Sequence, residues 1–111
     1  MEMAQDLRRW ERYRIKVRAK ITLNLNGATS SFFGEASDVS QGGLSLFLPR
    51  ELEPGVAILM ELTFPYNSRR MAIRGLIRNR HGFTYGVEFI SPSSYQLQTI
   101  AGVCKALQLL S

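Results

Sequence analysis

The chain has little of what most enzymes and metalloproteins need. One cysteine, Cys104, excludes an internal disulfide, and one histidine, His81, leaves no partner for a His-based metal site. Carboxylates are few and scattered, 9 against 14 lysines and arginines, so neither a metal cluster nor a nucleophilic triad has its parts. No apolar run approaches the roughly 20 residues of a membrane-spanning helix, and the polar start Met1-Glu2-Met3-Ala4-Gln5-Asp6 is not a secretory signal. No repeat, low-complexity tract or linker divides the 111 residues, a length that can bury a core without metal or disulfides. These absences point to a single non-enzymatic domain in a reducing, cytoplasmic setting, complete in itself or cut from something larger.

What is present is concentrated. Seven basic residues, half of the total, fall between Arg8 and Lys20, which focuses the +5 net charge on the start of the chain. A surplus of that sign favours anionic partners such as nucleotide, nucleic acid or acidic lipid. Two clusters stand out. Arg8-Arg9-Trp10-Glu11-Arg12 gathers guanidinium groups ahead of the first strand, and Asp38-Val39-Ser40-Gln41-Gly42-Gly43 offers a carboxylate, a hydroxyl and backbone N–H groups at a glycine turn. Arginine meets phosphate and the O6/N7 edge of guanine bidentately, while a carboxylate accepts from guanine N1–H and N2–H. Together the clusters are complementary halves of a site for an anionic guanine nucleotide.

The hydrophobic pattern predicts a barrel. Ile15 to Leu25 alternates apolar and basic or polar residues, as a half-buried strand does. Asn26-Gly27 is a hairpin signal, followed by a second strand through Phe32, Phe33 and Ala36 that stops at the Asp38–Gly43 turn. Leu44, Leu46 and Leu48 make a third strand, closed by Pro49. Val56 to Phe64 makes a fourth, Met71 to Ile77 a fifth, and Phe83 to Phe89 a sixth. Gly75 and Gly86 mark a bulge or strong curvature. After Ser91-Pro92 the period lengthens. Ser93 or Ser94 caps a helix with Tyr95, Leu97, Ile100, Ala101, Cys104 and Leu107 near one face. The fold expected is mainly β: a six-stranded antiparallel barrel with a C-terminal α-helix covering one end. Cys104 is expected in the core, and Arg74, Arg78 and Arg80 on or near the other face of the fifth strand.

With these residues the chain resembles the PilZ domain family. The resemblance lies in an RxxxR motif at Arg8 and Arg12, with Arg9 adjacent, and a DxSxxG motif at Asp38, Ser40 and Gly43. Tyr85-Gly86-Val87-Glu88-Phe89 is similar to the last strand of such domains, so the likeness covers roughly residues 7 to 90. It implies a PilZ-type barrel that is a receptor for the second messenger cyclic di-GMP, with residues 1–13 as a flexible arm and 14–111 as barrel plus helix. Arg8, Arg9 and Arg12 are then expected on phosphates and guanine, Asp38 and Ser40 on the other side of the ligand, and Gly42 and Gly43 in the turn. Trp10 either stacks on a guanine or anchors the arm on the barrel. No catalytic residue, metal or cofactor beyond that ligand is implied. The partner is an unnamed protein effector in motility, polysaccharide production or biofilm signalling.

Two other readings stay beside this one. A small basic barrel can bind RNA or single-stranded DNA through a cationic groove with stacking aromatics. Phe33, Phe64, Phe83, Tyr85 and Phe89 at strand positions that point inward count against it. The other is a PilZ adaptor that works without ligand.

Overall fold

The computed structural model describes residues 10–110, so Arg8 and Arg9 lie outside the described residues. Six antiparallel strands follow in order: β1 (Tyr13–Leu25), β2 (Ala28–Val39), β3 (Gly43–Phe47), β4 (Ala57–Leu62), β5 (Met71–His81) and β6 (Thr84–Phe89). A single helix, α1 (Ser94–Leu110), closes the chain. The strands form a closed barrel in the order β1-β2-β3-β6-β5-β4, with β4 returning to β1 through Lys20↔Glu61, Ile21↔Met60 and Thr22↔Leu59. Closure removes every sheet edge, which suits a chain this small.

Alternation is what fills the barrel. Ala19, Ile21 and Leu23 of β1 point inward with Ile58, Met60 and Leu62 of β4, Ile73 and Ile77 of β5, and Tyr85 and Val87 of β6. Lys16, Arg18 and Asn24 remain outside. The β1–β2 hairpin turns on Asn26 and Gly27, both at positive φ (56° and 80°), the pair of left-handed conformations that a two-residue turn of this hand requires. Gly75 sits on the inner face for a different reason. A Cβ there would come within 2.4 Å of Val87 Cγ1 and 2.7 Å of Met60 Cε, so its missing side chain lets neighbouring strands pack closely. Gly86 faces the β5 irregularity between Ile77 and Asn79, and the Asn79 amide lies over it.

The two ends of the barrel are closed differently. At one end the segment after β3 folds across the opening with Leu48 and Leu52 in the core. The buried Tyr85 hydroxyl ties it down, donating to the Arg50 carbonyl at 2.6 Å and accepting from the Leu52 N–H at 2.9 Å. At the other end lies α1. Ser93 is its N-cap: Ser93 Oγ accepts from the Gln96 N–H while Gln96 Oε1 accepts from the Ser93 N–H, a reciprocal capping box. Gln96 Nε2 also donates to the Ala72 carbonyl, fixing the first turn of α1 to the start of β5.

The buried face of α1 is Ile100, Val103 and Cys104, with Leu107 packed against it. Tyr95 and Leu97 are not covered as the sequence led one to expect; both are exposed. Tyr95 stands five positions from Ile100, about 140° round the helix, and the inward place in the first turn is taken by Gln96. Cys104 is in the core as expected, and burial pushes its thiol up to about 11. Two aromatics also depart from expectation: Phe64, Tyr85 and Phe89 are buried, but Phe33 and Phe83 are exposed. Phe33 has the outward parity of β2, and its ring is covered by the Arg18 guanidinium at 3.9 Å.

Candidate functional site

The start of β1, the end of β2 and the start of β3 meet at the barrel end that carries α1, because antiparallel order places Tyr13 opposite Val39 and Val39 opposite Leu44. The polar cluster at residues 38–43 is therefore split between a strand and a turn. Asp38 and Val39 belong to β2, which runs two residues beyond the point where the sequence suggested a stop.

An irregularity in β2 decides where Asp38 points. Strict alternation from the buried Ala36 would put Asp38 in the core. Instead the register steps: Ala36 pairs with Val17 and Leu46, but Asp38 pairs with Arg14 and Ser45. Ser37 is thereby extra relative to β3, and Val39 takes the inward position, fully buried. A bulge of this kind flips the faces of everything beyond it. It leaves a carboxylate on the outside and a valine in the core.

Ser40 then builds the turn. It is only 2% exposed, and its hydroxyl accepts from the N–H groups of Gly42 and Gly43 while donating to the Gly43 carbonyl, each at 3.2 Å. That uses one donor and both lone pairs, the full capacity of a hydroxyl. The Ser40 N–H also donates to the Gly43 carbonyl at 2.8 Å, and the Phe89 N–H donates to the Gly42 carbonyl at 3.0 Å. The glycine N–H groups expected to be open donors are thus held by the serine. Their binding stiffens the turn and ties it to β6.

Gly42 is required by proximity. Its φ is not in the left-handed region, but a Cβ would fall 2.6 Å from Trp10 Cδ1 and 2.8 Å from Nε1. The Cδ1–Nε1 edge of the indole thus lies against the turn, with 42% of Trp10 still exposed. Trp10 packs on the barrel here, at the Asp38–Gly43 turn. The first described residue of the arm and the glycine of the second cluster are in direct contact, although they stand 32 positions apart.

Arg12 and Asp38 complete the arrangement. They share a narrow recess with Ser40, Gly43 and Leu44. The recess adjoins an open hollow of about 950 Å³ along the outside of β1 and β2, lined by Arg12, Arg14, Lys16, Glu35, Ser37 and Asp38 with Ile15 at its floor. Behind it, burial together with the nearby Glu11 and Cys104 raises the phenol of Tyr13, whose ring packs against the core. No ion pair joins Arg12 or Arg14 to Asp38 among the described residues, so guanidinium and carboxylate groups face a common space with their hydrogen-bonding edges open. Such a space can take a molecule with anionic oxygens and an amide-like donor edge. Arg14 is a lining residue that reasoning from motifs passed over. Its signal was the outward parity it shares with Arg12. Among the described residues, no group of three or more His, Cys, Asp or Glu is placed to hold a metal ion, and no helix is long and apolar enough to cross a membrane.

Comparison with known proteins agrees with this architecture. No curated protein matches the sequence. Among solved structures, the Bacillus subtilis inhibitor of motility MotI/DgrA superposes with a TM-score of 0.78 at 13% identity, covering 92% of this chain and 51% of that one. The PilZ domain of YcgR from Escherichia coli, solved with c-di-GMP, gives 0.69 at 15% identity, covering 90% of each chain. The K. pneumonia MrkH–c-di-GMP complex gives 0.69 at 14%, covering 91% of this chain and 52% of that one. The chain thus spans about half the length of MotI and MrkH and nearly all of the YcgR domain. At such identities the likeness is one of fold. The PilZ domain family model, however, matches residues 6–106, which takes in both polar clusters and the whole barrel, and the chain belongs to that family.

Proposed function

We propose that this domain is a non-enzymatic receptor for cyclic di-GMP. The observation that carries the reading is the convergence of Arg12 and Asp38, 26 positions apart, on one recess that opens into a hollow of nucleotide size. Two solved relatives of the same fold hold c-di-GMP, which agrees with that chemistry. Arg8, Arg9 and Arg12 clamp the phosphodiesters and the guanine O6/N7 edge. Asp38 accepts from the guanine N1–H and N2–H. Ser40, Gly42 and Gly43 contribute chiefly by holding the turn beneath the ligand.

The arm ahead of Tyr13 acts as the moving jaw and the barrel, which β1 begins at Tyr13 rather than after it, as the fixed one. Ordering backbone costs about 1–2 kcal/mol per residue, which several charge-assisted hydrogen bonds of about 1.5–3 kcal/mol each offset. Trp10, already seated on Gly42, shortens the stretch left to order. Closing the jaw changes the surface offered to a protein effector, in the cytoplasm, with an output in motility, polysaccharide production or biofilm formation; the motility inhibitor among the relatives favours the first.

Isothermal titration calorimetry with cyclic di-GMP tests this. Saturable binding is expected, weakened about tenfold to a hundredfold by Arg12→Ala. A folded wild-type domain that gives no heat at high micromolar ligand overturns the reading.

A further inference from the structure

We infer that Arg14, which lies outside both sequence motifs, is a further anchor for the same ligand, placed there by the register step between β1 and β2. The inference rests on the receptor reading above. In the β1–β2 ladder Arg18 pairs with Glu35 and Val17 with Ala36, and continued at that spacing Arg14 would face Val39, a core residue. The step instead sets two residues of β1, Ile15 and Lys16, against Ser37 alone and brings Arg14 directly opposite Asp38. The irregularity that keeps the carboxylate out of the core thus also gives it an arginine as its cross-strand neighbour.

Three features separate Arg14 from an ordinary solvated strand residue. It lines the 950 Å³ hollow together with Arg12, Lys16, Glu35, Ser37 and Asp38, so its head group faces the space the ligand takes. It forms no ion pair among the described residues, although opposite charges stand directly across the ladder. The next arginine of the same face, Arg18, is already engaged, its guanidinium lying 3.9 Å over Phe33. The chemistry matches a dianionic cyclic dinucleotide, whose two phosphodiesters call for more than one cationic contact. Arg12 stands at the recess just ahead of β1 and Arg14 two residues on, within the strand, so their guanidinium groups offer bidentate contacts at two points, with Lys16 adding field. Glu35 and Asp38, the acidic residues of the hollow, repel a phosphate placed against β2, which sets the ligand's anionic oxygens toward β1 and its guanine donor edges toward β2.

The experiment is calorimetric titration of cyclic di-GMP into the wild type and the variants Arg14→Ala, Arg14→Lys and Arg18→Ala, at two salt concentrations, with thermal melts to confirm folding. Arg14→Ala is expected to weaken binding roughly tenfold to a hundredfold and to flatten its salt dependence. Arg14→Lys should keep the salt dependence but recover only part of the affinity, since a point charge replaces a fork. Arg18→Ala should stay within about twofold of wild type. If Arg14→Ala and Arg18→Ala bind alike while the wild type binds well, Arg14 is not an anchor and the receptor reading stands. A folded wild type that binds nothing overturns both.

Discussion

Two faces of this barrel carry arginines at alternating strand positions, and they have opposite fates. On β5, Arg78 pairs with Glu88 of the neighbouring β6 at 3.5 Å, and Arg80 pairs with Glu51 at 3.3 Å while its Nε donates to the Gly82 carbonyl. At the start of β1, Arg12 just ahead of the strand and Arg14 within it line an open hollow with Asp38 without closing on it. Composition and periodicity are alike on the two faces. The difference lies in where the acids stand. Glu88 is paired with Leu76 and its carboxylate reaches Arg78 two residues on, whereas Asp38 stands directly opposite Arg14, at the rim of a recess, and the two do not close. Arginines at alternating strand positions are therefore spent where they close on neighbouring acids, and stay available where they do not.

The largest effect expected from this comparison is on binding. Asp38→Ala should reduce cyclic di-GMP affinity about a hundredfold in calorimetry while changing stability little, whereas Glu88→Ala on the closed face should leave affinity within about twofold. Equal losses from the two would abolish the distinction between the faces.

A second substitution separates the two ends of the barrel. Tyr85→Phe removes the hydroxyl that satisfies the Arg50 carbonyl and the Leu52 N–H. Leaving those groups without a partner should cost about 2 kcal/mol in urea denaturation, with ligand affinity unchanged, because the site is at the opposite end. A loss of affinity beyond a few fold would mean that the ends are coupled.

The smallest effect sharpens the role of the turn. Trp10 is the one tryptophan of the chain, so its fluorescence reports its own seat. Gly42→Ala places a methyl 2.6 Å from indole Cδ1 and should unseat the ring, shifting its emission to the red with stability lowered by at most about 1 kcal/mol. An unchanged spectrum would mean that the ring does not rest on the glycine in solution.

Much of this was legible before any coordinates. Alternation in β1, β4, β5 and β6 gave the barrel, because one face of each strand must meet water and the other a core. The Asn26-Gly27 turn and the serine cap of α1 were legible for a related reason: each depends on local conformations that few residues adopt. The errors share a cause as well. Tyr95, Leu97, Phe33 and Phe83 are apolar but exposed, and hydrophobicity alone does not say whether a neighbour covers a side chain. The Ala36…Val39 spacing, three positions where two would be regular, was the one trace of the bulge in the sequence.

The sequence by itself determined the parts: the arginine cluster, the Asp38–Gly43 segment, the fold class and the charge that favours an anionic ligand. These follow from side-chain chemistry and from periodicity, which are local. The tertiary structure decided how those parts are held and which of them meet. Ser40 spends its hydroxyl on the turn, Gly42 is small because Trp10 lies on it, and a register step sets Arg14 against Asp38. Register belongs to two strands at once, so no single stretch of chain specifies it.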